Sequence, residues 1–290
     1  MKKGFLSTSM VYSFFLVFLM VLIFILANLI NNRTLVSRIN SDIKESIYSS
    51  SFSGYLINND IDNLVYHNND ELNDNSYRFV GDANNNYVCF ATDITPCPAE
   101  NLYRIIGVID GKVKLIKDTP ITNFAIDDVT SIYSATDLVT YLNTSNESNY
   151  YDTILVYSDL IATTYYYIGG ISSLSSDRLE VYNAEMSSSS ILRQVGLMYI
   201  SDYLYAEDSG NNWLRVNADT WFITQNASDI VDGEYPINNY YYLNTNGEIN
   251  LGAINLPKNI KPVFYLKNSV KILSGSGMSD DPYYVGGNNV

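Results

Sequence analysis

The sequence contains few of the residues on which hydrolytic and metal-dependent sites are commonly built. It has one histidine and two cysteines among 290 residues. A histidine-based triad would have to use His67, but the sequence has no Gly-x-Ser-x-Gly nucleophile motif. It also has no Cys-x-x-Cys pair, no histidine cluster and no Gly-x-x-x-x-Gly-Lys phosphate-binding loop. We therefore predict no catalytic residue, no metal site and no cofactor, and we expect His67 to be an exposed surface residue.

Positive charge is also scarce. The chain has 17 lysine and arginine residues against 31 aspartate and glutamate residues, which gives a formal net charge of −14. A surface of this sign repels a phosphate backbone, so nucleic acid is not an expected partner. A large net charge of one sign favours solubility and carries little information about the fold.

The two cysteines lie close together in the stretch CFATDITPC, as Cys89 and Cys97. Two prolines flank Cys97, and a pair at this spacing would close a small local loop. The spacing favours a Cys89–Cys97 disulfide, and the alternative is two unrelated buried thiols. Together with the acidic, polar composition, this pair indicates that the part of the chain carrying it lies outside the cell.

One long apolar run stands near the start of the chain, because no charged residue occurs from Phe5 to Ile30. At 1.5 Å per residue, a helix over this run would be roughly 39 Å long, enough to cross a hydrocarbon core of about 30 Å. No small-residue cleavage site follows Ala27, so we expect an uncleaved membrane helix instead of a removed signal. The residues expected to anchor it in lipid are Phe5, Phe14, Phe18 and Ile30.

The helix is expected to continue beyond the membrane. Apolar residues recur at every fourth position after the run, with charged residues between them, which is typical of an amphipathic helix. These apolar residues are Leu35, Ile39, Ile43 and Ile47. Basic residues flank the run in similar number on both sides, so they do not fix its orientation.

The chain therefore divides into three parts. Residues 1–50 are predicted to be a membrane-spanning and amphipathic helix. Residues 51–86, rich in Asn and Asp, are expected to be a polar connecting region. Residues 87–290 are expected to be an extracellular head of mostly antiparallel β structure with few and short helices, so the predicted fold class is α+β.

Two hairpins are the clearest elements of the head. Asp110-Gly111 joins two β-branched runs, and Asn246-Gly247 joins two further strand-like runs; both pairs suit turns in which the central residues have positive φ. We expect the lysines after the first turn, at positions 112, 114 and 117, to lie near solvent. A short helix is predicted at 137–143, with Leu138, Tyr141 and Leu142 facing inward.

The head is rich in tyrosine, with 26 in the chain. Tyrosine combines a large apolar ring with a hydroxyl that can stay hydrated, so it suits both half-buried strands and recognition surfaces. The polar stretch 206–212 is conceivable as a calcium site, although it has no EF-hand spacing.

The N-terminus resembles the precursors of type IV pilins and of the pseudopilins of type II secretion. Those precursors have a basic leader that ends in Gly-Phe before an apolar helix, and Lys2-Lys3-Gly4-Phe5 matches that leader. The resemblance implies cleavage between Gly4 and Phe5 by prepilin peptidase. Most such subunits carry glutamate where this chain has Ser9, so Ser9 indicates either a minor or initiating subunit or a chain outside the family.

The stretch 87–285 resembles uncharacterised exported proteins of Firmicutes-type bacteria. Its segments NNWL, DTWFIT and KPVFYL are similar to those of bacterial domains with a C-type-lectin-like fold. In such domains the aromatic residues mainly build the core, and only some bind sugar or calcium, so the resemblance implies a fold more than an activity. The residues that this resemblance suggests for binding are Trp213, Trp221, Tyr240 and Tyr241.

The leading hypothesis is a single-pass, surface-exposed, pilin-like or pseudopilin-like minor subunit with a non-enzymatic binding head. Its expected partners are the lipid bilayer, other pilin-like subunits, prepilin peptidase and a surface glycan or protein ligand. The alternative is a signal-anchored adhesin or carbohydrate-binding protein that does not enter a filament. A third reading, an anchored hydrolase or an enzyme resembling the sulfatase-modifying class, has no visible nucleophile–base pair to support it.

Overall fold

The computed structural model describes residues 15–21, 51–67, 72, 75–128, 133–168, 170–227 and 240–287. The chain forms two compact units, Met1–Ser49 and Ser50–Val290. In the first unit the described residues, 15–21, are helical (α1), and the side chain of Phe18 is exposed. The other expected anchor residues, the processing pair Gly4 and Phe5 and the amphipathic stretch lie outside the described residues. Within the described ranges, no helix has the length and apolar character needed to cross a membrane.

The second unit is mixed α+β, with far more strand than helix, as the sequence predicts. Its helices are short: α2 Phe52–Asn58, α3 Asp137–Asn143, α4 Tyr150–Ile154, α5 Arg178–Met186 and α6 Ile200–Tyr205. Its first nine strands are β1 Leu64–Tyr66, β2 Tyr77–Phe79, β3 Tyr87–Cys89, β4 Leu102–Ile109, β5 Lys112–Lys117, β6 Thr122–Phe124, β7 Thr164–Tyr167, β8 Ser190–Arg193 and β9 Val195–Gly196. The remaining strands are β10 Glu207–Asp208, β11 Asn211–Asn212, β12 Thr220–Gln225, β13 Tyr240–Leu243, β14 Ile249–Gly252, β15 Lys258–Ile260, β16 Val263–Tyr265, β17 Lys271–Ser274 and β18 Tyr283–Gly286.

The largest sheet has the strand order β17-β18-β3-β4-β5-β16-β9, and the β1–β2 pair joins it through β2 and β4. A second sheet has the order β14-β13-β12-β15-β6, while β7–β8 and β10–β11 are separate two-stranded pairs. Neighbouring strands are antiparallel except for two parallel pairs, β3–β18 and β12–β15. The head is therefore mostly antiparallel, and strands distant in sequence become neighbours at its centre.

Both expected hairpins are present. β4 and β5 pair antiparallel through a turn at Asp110 and Gly111, whose φ angles are 50° and 71°. β13 and β14 pair through a turn that contains Gly247, at φ 83°. The short helix α3 also forms as predicted, with Leu138 and Leu142 fully buried. Strand β16 pairs with β5 and β9, and β17 pairs with β18.

The segment 51–86, which we expected to be a polar connection, is packed into the second unit. Helix α2 buries Phe52 and Leu56 in the main core, and β2 is hydrogen-bonded to β4. The reason is that a few apolar residues stand at core-facing positions within a largely polar composition. No boundary separates this segment from the head in the described structure.

Apolar clusters cover both faces of the main sheet. One cluster contains Val113 and Leu115 of β5, and a second contains Ile116 of the same strand. Because side chains alternate along a strand, β5 has no face left for solvent. The expectation that all three lysines of β5 lie near solvent is therefore wrong, since Lys114 is 1% exposed and Lys117 is 4% exposed.

The disulfide between Cys89 and Cys97 is present, as predicted. Cys89 is the last residue of β3, which lies between β18 and β4 in the main sheet. The bond closes the loop that follows β3 and so ties this loop to the sheet at its centre.

Candidate functional site

A cavity of about 570 Å³ opens beside the β4–β5 hairpin. We call it the tyrosine-walled cavity, because five tyrosines line it: Tyr165, Tyr167, Tyr182, Tyr199 and Tyr265. Its volume lies in the range of ~300–1,000 Å³ that is usual for small-molecule sites. Its lining comes from the hairpin, β7, α5 and the start of α6, so residues far apart in sequence meet there.

Three buried charged residues form the base of this cavity, and we call them the charged cluster. The Asp202 carboxylate accepts from Arg78 Nη1 at 3.0 Å and from Lys114 Nζ at 2.6 Å. All three side chains are at most 3% exposed. Burying charges is costly unless they are paired and hydrogen-bonded, and here each charge has an opposite partner.

Each member of the cluster is positioned by a different element. Arg78 lies in β2, opposite Gly107 of β4. Lys114 lies in β5 opposite Tyr265 of β16. Asp202 lies in the first turn of α6, where its carboxylate also accepts from the backbone N–H of Tyr199 in a capping box. The cap fixes the carboxylate at the start of the helix, and β2 and β5, which both pair with β4, bring the cations to it.

Aromatic rings surround the cations of the cluster. Lys114 Nζ lies 4.7 Å from the centre of the Tyr199 ring and 5.3 Å from that of Tyr265. The Arg78 guanidinium lies 5.2 Å from the Tyr205 ring. These distances are typical of cation–π contacts, which partly replace the lost hydration of the cations.

Burial and pairing act in opposite directions on the titration of the cluster. Burial lowers the pKa of Lys114, although the Asp202 carboxylate opposes that shift. For Asp202 burial alone would raise the pKa, but Lys114 and Arg78 together hold it below its usual value. Asp202 is therefore an ionised acceptor, with its charge engaged by both neighbouring cations.

A second buried carboxylate, Glu185 of α5, lies behind the cluster. It accepts from the backbone N–H of Ile200 at 3.0 Å and is also bonded to the Thr224 hydroxyl. Burial raises its pKa to about 7, with Asp202 adding to the shift and hydrogen bonds from Ser201 and Thr224 opposing it. Glu185 thus links α5 to the start of α6 and changes charge near neutral pH.

The mouth of the cavity is more exposed than its base. Tyr165 of β7 is 63% exposed, and Asn183 of α5 and Ser187, which follows α5, are also exposed. On the hairpin side, Lys112 and Asp110 form an ion pair of 3.2 Å. The cavity therefore passes from a charged base between tyrosine walls to a polar rim.

A second cavity of similar volume, about 570 Å³, lies on the other face of β5. Its lining includes Lys117, whose ammonium lies 4.4 Å from the centre of the Tyr103 ring and donates to the Glu100 carbonyl. Burial lowers the pKa of Lys117 to about 8. Tyr103 and Tyr150 share a buried hydrogen bond of 2.7 Å beside it. This cavity has one buried cation and no ion-paired cluster, so we regard it as the weaker candidate.

The residues suggested for binding by sequence lie elsewhere. Trp221 and Tyr240 are fully buried, and Tyr241 is 5% exposed, so these three are core residues and not a binding surface. Trp213 is half-buried, with its ring 4.4 Å from the Arg104 guanidinium and its Nε1–H donating to Phe79 O at 2.8 Å. Trp221, Tyr240 and Tyr241 are buried because strands that are covered on both faces bury their aromatic rings.

The expectation for His67 is also wrong. Its side chain is 3% exposed and packs edge-on against the Tyr205 ring at 4.9 Å. The polar stretch at 206–212 forms the small β10–β11 hairpin, with its turn at Ser209 and Gly210. Among the described residues, no group of three or more His, Cys, Asp or Glu side chains is arranged to hold a metal ion.

Sequence reasoning missed the charged cluster. Its one local signal is Lys114 within the run VKLI, where a charged residue interrupts three apolar ones. A lysine in a strand with apolar neighbours on both faces needs a buried partner, and that partner, Asp202, is 88 residues away.

Comparisons with protein-family models, curated proteins and solved structures found no match.

Proposed function

We propose that this protein is a membrane-anchored, surface-exposed, pilin-like or pseudopilin-like subunit whose β-rich head binds a ligand. The observation that carries the proposal is the Cys89–Cys97 disulfide in a self-contained head that follows a long apolar segment. Structural disulfides belong to oxidising compartments, and an apolar segment of this length suits an anchor. The head is therefore assigned to the outside of the cell.

The finer features of the architecture belong to the same proposal. A continuous helix over residues 1–50 would carry the anchor and its amphipathic extension, with Gly4 and Phe5 as the processing pair. The likeness of the head to C-type-lectin-like domains is supported by the sequence stretches around Trp213 and Trp221. Ser9, in place of glutamate, favours a minor or initiating subunit.

A binding role for the head is supported by the tyrosine-walled cavity. Pockets that bind small ligands combine aromatic walls with a few polar groups that fix orientation, and this cavity has both. The ionised Asp202 carboxylate is already held by two cations and a helix cap, so it is suited to a fixed electrostatic role. We therefore assign the cavity to binding and not to catalysis.

The processing claim is tested by the mass of the mature N-terminal peptide. Full-length protein is expressed with a prepilin peptidase, purified from membranes and digested, and the peptide is sequenced by mass spectrometry. We expect Phe5 as the first residue. A mature protein that retains Met1 or Lys2 contradicts processing, while Gly4→Leu is the variant expected to block cleavage.

The second candidate, an anchored adhesin or carbohydrate-binding protein outside any filament, is favoured by the same cavity. The two candidates differ in their neighbours within the membrane. Cross-linking in intact cells is expected to join this chain to other pilin-like subunits if it enters a filament. Recovery of the uncleaved chain alone, with ligand binding intact, would favour the second candidate.

A further inference from the structure

The lining of the tyrosine-walled cavity carries more positive than negative charge. Three cations, Arg78, Lys112 and Lys114, line it together with two carboxylates, Asp110 and Asp202. At the rim Lys112 pairs with Asp110, which leaves two cations and one carboxylate in the lining at the buried base, with the Glu185 carboxyl behind them protonated below about pH 7. A ligand with one negative charge would balance that base, whereas a second negative charge would be placed against Asp202.

The Lys114 ammonium has capacity for such a ligand. An ammonium group has three N–H donors, and one of them is directed to Asp202 Oδ2 at 2.6 Å. Within the described part of the chain, Lys114 Nζ has no second hydrogen-bond acceptor, and its other close neighbours are the rings of Tyr199 and Tyr265. Since this group is 1% exposed, an acceptor that enters the cavity would form a strong, charge-assisted bond.

The walls and mouth of the cavity suit a ring that carries hydroxyl groups. The Tyr165 side chain is 63% exposed and offers an aromatic face beside the opening. The side-chain groups of Thr164 and Asn183 also line the cavity, and neither forms a hydrogen bond to another residue in the described ranges. Aromatic faces next to free hydroxyl and amide groups match a ligand with both apolar and hydrogen-bonding surfaces.

We propose that the cavity binds a hexuronate unit, a sugar ring with a single carboxylate. The carboxylate accepts from Lys114 at the base, the ring lies against Tyr165, and the hydroxyls reach Thr164 and Asn183. This inference rests on the proposed role of the head as a binding module and specifies its ligand class.

The test is isothermal titration calorimetry of the full chain in detergent micelles. The acidic probes are D-glucuronate and D-galacturonate, and the matched neutral probes are D-glucose and D-galactose. An oligogalacturonate distinguishes a free sugar from a unit within a glycan. We expect the acidic sugars to bind at least about tenfold more tightly than their neutral counterparts, because one charge-assisted hydrogen bond is added.

Tyr165→Ala and its control Tyr66→Ala separate ligand contact from folding, and a third variant, Lys114→Met, tests the contact with the ligand carboxylate. Tyr165→Ala removes an exposed ring and is expected to weaken uronate binding about fivefold while the thermal unfolding midpoint stays unchanged. Tyr66→Ala is the matched control, because Tyr66 is 50% exposed and does not line the cavity. Lys114→Met is expected to abolish the preference for acidic over neutral sugars.

Equal affinity for acidic and neutral sugars, or no heat with any uronate, would overturn the proposal. Tighter binding of an acetylated dipeptide with a free carboxylate would overturn the choice of a sugar ring. An unchanged affinity in Tyr165→Ala would contradict the assigned cavity. These failures are distinct from failure of the proposed function, because processing at Gly4 and cross-linking to other subunits are read out separately.

Discussion

At the scale of single residues, Lys112 and Lys114 show how position along one strand decides the role of a charge. They are two residues apart in β5, yet Lys112 lies at the rim in a partly exposed ion pair, while Lys114 lies in the core against Asp202. A pair exposed to water contributes little to stability. A buried pair is costly to break, because the remaining charge then lacks its partner.

The first prediction compares these two lysines. Lys114→Met should lower the free energy of unfolding by about 3 kcal/mol, since it leaves Asp202 with one of its two cations. Lys112→Met, the matched control, should change it by less than about 0.5 kcal/mol. Urea titration of the full chain in detergent micelles, followed by tryptophan fluorescence, measures both. Equal losses of unfolding free energy in the two variants would show that the buried pair contributes no more to stability than the exposed pair.

The second prediction concerns Glu185 and pH. Burial raises its pKa from 4.5 to about 7, so the folded state holds this proton more tightly than the unfolded state. The stabilising contribution is therefore complete below pH 4.5 and is lost as the pH rises to about 7. Glu185→Gln should remove this dependence, so the stability difference between wild type and variant should change by about 3 kcal/mol across that window.

This difference is measured from urea midpoints at about pH 4.5, 5.5, 6.5 and 7.5. These values are about one unit apart and span the shifted titration. The matched control is Glu180→Gln on the exposed side of the same helix, α5, which should leave the slope of the pH profile unchanged. A wild-type chain and a Glu185→Gln variant with parallel profiles would show that folding does not raise the pKa of Glu185.

At the scale of elements, the site depends on the pairing of β2 with β4. Arg78 reaches Asp202 only because β2 lies directly beside β4, where Gly107 is its partner in the register. A Cβ at Gly107 would meet the Tyr77 carbonyl oxygen well inside van der Waals contact, and it would lie 3.0 Å from the Arg78 Cα. The missing side chain is thus what allows β2 to approach.

The third prediction follows from that contact. Gly107→Ala should push β2 away from β4 and lower the free energy of unfolding by about 1–3 kcal/mol through overpacking. Gly111→Asn is the control, because a Cβ there meets nothing within 4 Å and asparagine tolerates the positive φ of that turn. Amide hydrogen exchange should rise in β2 of Gly107→Ala and stay low in the control. Unchanged exchange in β2 would contradict the role of this glycine.

At the scale of the whole molecule, sequence signals predicted the elements whose partners are close in sequence, and they failed to predict the pairing of strands that are distant in sequence. The turns at Asp110-Gly111 and Asn246-Gly247 could be predicted because the turn residues and the flanking strands lie next to each other in sequence. The parallel pairing of β3 with β18 could not, because nothing in either strand encodes its partner, and Val88 pairs with Tyr283 near the other end of the head.

The candidate site was missed for the same reason. The charge of Lys114 predicts a position near solvent, whereas apolar clusters cover both faces of β5. The aromatic residues Trp221 and Tyr240, which are predicted to bind a ligand, are buried by the packing of the sheets. Whether a strand is covered on one face or two depends on the elements that pack against it, which its own sequence does not specify.

The central claim is that the folded head binds a ligand outside the cell and is held there by a membrane anchor. The most direct measurement is protease treatment of intact cells that express the full chain, with a cytosolic protein as the control for lysis. We expect the head to be digested from outside while the cytosolic control stays intact. A head that is protected until the cells are lysed would contradict the account.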